Sequence, residues 1–358
     1  MEQLKSTIRK NLFSIISIGA CAVIMFSLLF SPEGLKGTMH FFKEIRPMWL
    51  VFALIAVFLS WLLEGLCIHI FCKDIMPNWS YIDSFQIGMI GSFYNGVTPF
   101  ASGGQPMQIY FLSKKGMDGG YAISIIAKRS LVYQSILVSY AIVMMCLSLR
   151  FFICNISNFA WLAIFGVISN GSFILFILLF SLNERLTKKT LSFFTSLLGK
   201  LHLLKHPEEK YNKIEKKLDT FHSGITNCNK PLKTYFFVIF FTVLQITCTC
   251  IIPYFIYRSF HFKSESLLTI LSADSFVTMV SAFIPMPGSS GAAECSFYLF
   301  FNLFFENGTI IPAILIWRLL TYYLNILVGG IISAIKPKAH NRKLNKNQFA
   351  PLEKNANI

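Results

Sequence analysis

Five ionisable side chains, Glu64, Arg129, Asp274, Glu294 and Arg318, sit where the chain is otherwise apolar enough to lie in lipid. Such a residue needs a partner, a proton or a wet cavity, and is a functional candidate by default. Two stretches nearby are broken in the same way. One reads Ser92-Phe-Tyr-Asn-Gly-Val-Thr-Pro-Phe-Ala-Ser-Gly-Gly-Gln-Pro106, the other Ile284-Pro-Met-Pro-Gly-Ser-Ser-Gly-Ala-Ala-Glu294. Backbone groups freed by Pro and Gly cannot face hydrocarbon, so each break must be buried in protein or line a cavity. Paired breaks in two halves of a chain point to a transporter-type binding site.

The chemistry on offer is anion or headgroup recognition. Gly103 and Gly104, with Gln105 and Pro106, open a helix whose N–H groups and positive dipole end suit a phosphate. Asn95 and Thr98 lie just upstream. In the second break Gly288, Ser289, Ser290 and Gly291 lead into another helix start, with the serines as caps and Glu294 in the first turn. Arg129 and Arg318 can grip phosphate bidentately. Glu294 can pair with Arg318 or Arg129, or meet a cationic headgroup. Plainer readings stand beside these. The glycines can serve only a tight turn, Glu294 only the helix dipole, Lys128 and Arg129 only the interface by snorkelling, and Glu64 and Asp274 only structural ion pairs rather than proton coupling.

Positioning these residues requires helices in a membrane. The 358 residues are 54% hydrophobic and only 14% charged, with mean hydropathy +0.58. Soluble domains carry about 25% charge. The fold class is all-α, a polytopic integral membrane protein. It has about six full spans plus two re-entrant helical hairpins, which a hydropathy profile would count as eight. The spans are Leu12–Phe30, Trp49–Cys72, Ala122–Leu149, Phe159–Leu182, Tyr235–Tyr257 and Pro312–Ile335, with hairpins at 82–112 and 267–305. The first span follows Lys5, Arg9 and Lys10 without a small-residue cleavage site, so it reads as retained. With both termini inside, 23 of the 32 Lys and Arg fall in inner segments and 6 in outer ones, as the positive-inside rule requires.

Span, span, hairpin, span occurs twice with opposite entry sides, which reads as an inverted repeat of 12–149 and 157–336 in a transmembrane domain of 1–336. The cytoplasmic loop 182–233 is basic and carries two amphipathic stripes. The first is Leu191, Phe194, Leu197, Leu198 and Leu201; the second is Tyr211, Ile214, Leu218 and Phe221. Both suit an anionic inner leaflet, or a solvated connector. The tail 337–358 is basic and reads as disordered. Nine scattered cysteines without a CxxC pair read as buried small hydrophobes. His202 and His206 stand four apart in a Lys-rich loop, which makes no metal site. No metal or cofactor motif and no nucleophile–base constellation is present.

The two breaks and their arginines resemble the lysylphosphatidylglycerol synthase transmembrane family, or flippase-like domain family, over about 10–336. The first signature there is approximately N-x-x-T/S-P-x-x-x-G-G-E-P and then an Arg, here Asn95, Thr98, Pro99, Gly103, Gly104, Gln105, Pro106 and Arg129. The second is P-x-P-G-G-x-G-x-x-E and then an Arg, here Pro285, Pro287, Gly288, Ser289, Gly291, Glu294 and Arg318. Gln105 replaces the family's acid, and Ser289 one of its glycines. The resemblance implies a flippase for an anionic or aminoacylated phospholipid, such as lysyl-phosphatidylglycerol, or a related lipid-linked headgroup, and the Phe-, Lys- and Asn-rich composition suggests a bacterial plasma membrane. Moving such a lipid would oppose cationic antimicrobial peptides. The family name also implies the alternative of a phosphatidylglycerol lysyltransferase, or a membrane partner of a separate soluble transferase. A polar segment of about 50 residues is too small to be an aminoacyl transferase domain. A third reading is a small-solute or ion carrier using Glu64, Asp274 and Glu294. The expected partners are membrane lipids, with no direct nucleic-acid binding.

Overall fold

The computed structural model describes residues 45–155, 159–200, 207–226, 232–281, 291–306 and 308–335. The expected first span, the Gly288–Ser290 turn, the His202/His206 pair and the C-terminal tail lie outside them. Among the described residues there is no strand. The helices are α1 (Pro47–Ile75), α2 (Tyr81–Val97), α3 (Gly104–Lys114), α4 (Gly119–Asn155), α5 (Phe159–Leu182), α6 (Glu184–Lys200) and α7 (Pro207–Thr226). They continue as α8 (Leu232–Cys250), α9 (Ile252–Ser259), α10 (Leu267–Ser281), α11 (Ala292–Phe301), α12 (Ile310–Arg318) and α13 (Leu324–Ala334).

Five stretches are long and apolar enough to cross a bilayer: Pro47–Ile75, Gly119–Asn155, Ile164–Leu182, Thr234–Ser259 and Ile310–Ala334. They coincide with five of the six expected spans, so the protein is an all-α, polytopic membrane protein. The two interrupted regions form packed helix pairs, α2 with α3 and α10 with α11. Their arms have 17 and 11 residues, and 15 and 10 residues. At 1.5 Å per residue the longest arm reaches about 25 Å, short of the roughly 30 Å hydrocarbon core.

Two spans are less regular than their sequence pattern. The stretch Thr234–Ser259 breaks at Ile251, where α8 gives way to α9. Pro253, just beyond, has no N–H to donate and its ring crowds the preceding turn. The last span passes through a π turn at Leu319–Tyr323 between α12 and α13. Such turns concentrate at functional sites.

In lipid, helices gain little by hiding apolar surface from one another, so close packing and interhelical hydrogen bonds hold the bundle. Glycines provide the closest approaches. A Cβ on Gly65 of α1 would stand 2.9 Å from the Phe85 backbone of α2, and one on Gly329 of α13 would stand 2.5 Å from the Met89 carbonyl oxygen. The first hairpin is thus clamped on both sides. Gly329→Ala should cost about 1–3 kcal/mol by overpacking, read as a lowered thermal midpoint of the detergent-solubilised protein. Ile87, Ile90 and Leu112 of this hairpin pack with Ile125 and Ile126 of α4. The second hairpin is an aromatic block. Phe276 stacks on Phe300 at 5.7 Å, Phe297 on Phe301 at 4.0 Å, and Phe297 meets Trp317 at 4.6 Å. Each such pair adds about 0.5–1.5 kcal/mol beyond its area.

The basic loop forms two helices. Lys188 of α6 joins Glu184 and reaches Asp219 of α7, both at 2.8 Å. Hydrogen bonds to Asp219 and Glu184 hold its ammonium above the usual lysine range. Of the expected apolar stripes, Phe221 is buried, beside Gly224, where a Cβ would stand 2.5 Å from Ser124 Oγ of α4. Ile214 is exposed. This end of α7 therefore packs on protein.

Candidate functional site

Asn95 lies in the last turn of the first arm of hairpin one, and Gly104 starts the second. Between them Thr98, in extended conformation, leads into a 3-10 turn, Pro99–Ala101. Phe100 and Ala101 have φ of 54° and 49°, a left-handed conformation uncommon for side chains with a Cβ. Local strain of this kind costs roughly 1–3 kcal/mol per residue and collects at ligand-binding sites.

The side chains upstream cap the helix that follows. Thr98 Oγ1 accepts the Gly103 N–H at 2.8 Å and Asn95 Oδ1 accepts the Gly104 N–H at 2.9 Å. A Cβ on Gly104 would fall 2.1 Å from that Asn95 oxygen, so the cap itself requires glycine there. Pro106 has no N–H. Among the described residues the helix start is thereby closed on itself, with the Gln105 N–H as its open donor. Gly104→Ala should push Asn95 out of the cap and cost about 1–3 kcal/mol, again visible as a lower thermal midpoint.

Above the turn lies a cavity of about 510 Å³ between α1, α2, α4, α8 and the last span, within the range of small-ligand sites. Asn95, Phe100, Ala101 and Gln105 line it from the hairpin, Glu64 from α1 and Arg129 from α4. Arg129 is the hub. Its Nη2 donates to Glu64 Oε2 at 2.5 Å and to Gln245 Oε1 at 2.6 Å, and its Nη1 donates to Thr242 Oγ1 at 3.3 Å. Gln245 Nε2 closes the ring by donating to Glu64 Oε2 at 2.9 Å. The guanidinium lies 5.1 Å from the Tyr133 ring centroid. Three helices are thus tied by one charge pair whose Arg and Glu side chains are 5% and 20% exposed.

The second hairpin holds its own pair. Arg318 meets Glu294 twice, Nε to Oε1 at 2.7 Å and Nη2 to Oε2 at 2.8 Å. Glu294 Oε2 also accepts the Gly291 N–H at 2.6 Å. Of the two partners that the sequence allowed Glu294, the structure selects Arg318, and Glu294 caps its helix as well. Neither residue lines the cavity. Asp274 of α10 lies away from both, 1% exposed, hydrogen-bonded with the Cys250 thiol of α8 while its Oδ1 lacks a hydrogen-bond partner among the described residues. The candidate residues therefore fall into three groups: the cavity (Asn95, Gln105, Arg129, Glu64), the Gly291–Glu294–Arg318 cluster, and Asp274 beside Cys250. Thr98, Gly103 and Gly104 build the turn beneath the first.

Sequence reasoning missed the amides. Gln108, Gln134, Gln245 and Asn325 all line the cavity. Asn325 Oδ1 accepts the Trp61 indole N–H at 2.5 Å, and Gln134 donates to Asn170. The signal was available, since uncharged amides within apolar helices also need partners.

Residues 14–329 match the family described as the lysylphosphatidylglycerol synthase TM region. The chain is also similar to a UPF0104 membrane protein of Archaeoglobus fulgidus, at 25% identity over 333 residues, covering 90% of this chain and 97% of the relative.

Proposed function

The chain belongs to the family of the lysylphosphatidylglycerol synthase TM region, and from that premise we propose that it is a lipid translocator whose cavity receives a headgroup. The observation that carries this reading is a chamber lined with amide, hydroxyl and charged side chains within apolar helices, walled on one side by a hairpin too short to span a bilayer. A headgroup's barrier to crossing is the loss of its hydrogen bonds in hydrocarbon. A chamber offering replacement bonds lowers that barrier while the acyl chains stay in lipid. Rocking of the hairpins against the remaining helices would expose the chamber alternately to each side.

The lipid that the family name suggests is lysyl-phosphatidylglycerol, with other anionic or aminoacylated phospholipids as relatives. Membrane lipids are the partners in this reading. A separate soluble transferase is the further partner it allows, the membrane is a bacterial plasma membrane, and both termini face the cytoplasm. The test is reconstitution into liposomes with headgroup-labelled lipid in one leaflet. Accelerated transfer relative to protein-free vesicles is expected, and Ser130→Trp or Ser92→Trp, each filling the chamber from its wall, should abolish it. Transfer no faster than in empty vesicles, from protein shown to be folded, would overturn the reading.

A further inference from the structure

The open hydrogen-bonding atoms of the chamber specify what enters it. Among the described residues its wall carries one cation and one anion, Arg129 and Glu64, and these are bonded to each other. The chamber therefore has no net formal charge with which to draw in a phosphate. Arg129 is almost fully enclosed, with both terminal nitrogens engaged. Glu64 is different. Its two described donors converge on Oε2, Oε1 accepts neither, and a fifth of the side chain stays exposed on the wall. The charged atom that a ligand meets is a carboxylate oxygen, which repels an anion and accepts from an O–H.

The amides offer both donors and acceptors. Gln134 and Gln108 each give one N–H to the protein, to Asn170 and to the Ile87 carbonyl, leaving a carbonyl oxygen and a second N–H open. Thr249 and Thr321 donate their hydroxyl protons to the carbonyls of Gln245 and Trp317, so their oxygens can only accept. Beside these acceptors stand side-chain donors: the Asn95 amide, whose oxygen is held by Gly104, Gln105, whose side chain makes no hydrogen bond among the described residues, and the hydroxyls of Ser130 and Tyr133. Polar groups of either kind are costly to leave unpaired once water leaves. They are satisfied by a ligand rich in hydroxyls, each of which donates as well as accepts. A phosphate has nothing to donate. Trp61, Tyr133 and Phe100 supply flat apolar walls suited to the C–H faces of a ring.

We propose that the headgroup taken by this chamber is uncharged and polyhydroxylated, of the sugar or polyol class, rather than a bare anionic phosphate ester. This rests on the translocator reading for its purpose, but binding tests it separately. The full-length protein in nanodiscs would be titrated with three water-soluble dihexanoyl-glycerol lipids bearing glucose, phosphoglycerol or lysyl-phosphoglycerol, following tryptophan fluorescence. The glucosyl lipid should bind about tenfold tighter than the phosphoglycerol lipid. Gln134→Leu and Gln105→Leu should each weaken it about fivefold to tenfold, one hydrogen bond apiece. The Gln105 change breaks no bond within the protein, so its loss reads ligand contact alone. Tighter binding of either phosphoglycerol lipid, or no response to both variants, would overturn the proposal. Glucosyl binding without transfer of any lipid between leaflets would sustain this assignment and sink the translocator.

Discussion

Replacing Glu294 with Gln is expected to destabilise the protein by about 3–5 kcal/mol, the cost of breaking a buried ion pair by removing one partner. The substitution keeps the shape of the side chain and one acceptor, yet takes the counter-ion from a guanidinium that is 5% exposed. It also weakens the contact with the Gly291 N–H that fixes where α11 begins. Arg318 lies over the rings of Trp317 and Tyr322 at 5.1 and 5.3 Å, so the loss spreads into the aromatic block of the second hairpin. The check is thermal unfolding in one detergent for wild type, Glu294→Gln and the double change Glu294→Leu with Arg318→Met. The double variant should regain most of the loss, because two apolar side chains leave no charge to solvate. A single variant as stable as wild type would show the pair to be dispensable.

The second large effect concerns Arg129. Changing Glu64→Gln and Arg129→Met together removes both charges at once, so the fold should lose far less than in either single variant. Lipid transfer should nevertheless fall about tenfold or more, since the chamber loses its carboxylate acceptor and the hub that aligns Gln245. Arg129→Lys keeps the charge but not the planar fork that reaches two helices, and should transfer lipid at an intermediate rate. These two variants, compared with wild type at equal amounts of folded protein in liposomes, separate charge from geometry. Unchanged transfer in the double variant would remove the charge pair from the mechanism.

How much of this could be read in advance depends on the range of each interaction. The spans are local properties of composition, and the helices that form them lie where hydropathy puts them. The Asn95–Gly104 turn was also local, and its residue types announced a helix start, although which N–H groups its own side chains occupy could not be read. Long-range pairings were legible only as needs. Glu64 required a partner, but Arg129 and Gln245 lie 65 and 181 positions away, and nothing in the pattern selects them. The π turn after Arg318 is set by backbone register, to which hydropathy is blind.

That π turn decides how the last span divides its duties. A wider turn sets the helix after it at a different rotation from the helix before it. On one side of it Arg318 is fastened to the second hairpin. Within and beyond it Thr321 and Asn325 face the chamber beside the first, and Tyr322 Oη donates to the Gly96 carbonyl of that hairpin at 3.1 Å. A single rod thus works like a crankshaft with two offset throws, one for each hairpin. Neither hairpin can turn this rod without the other feeling it, and straightening the offset by deleting one residue would put the two out of time.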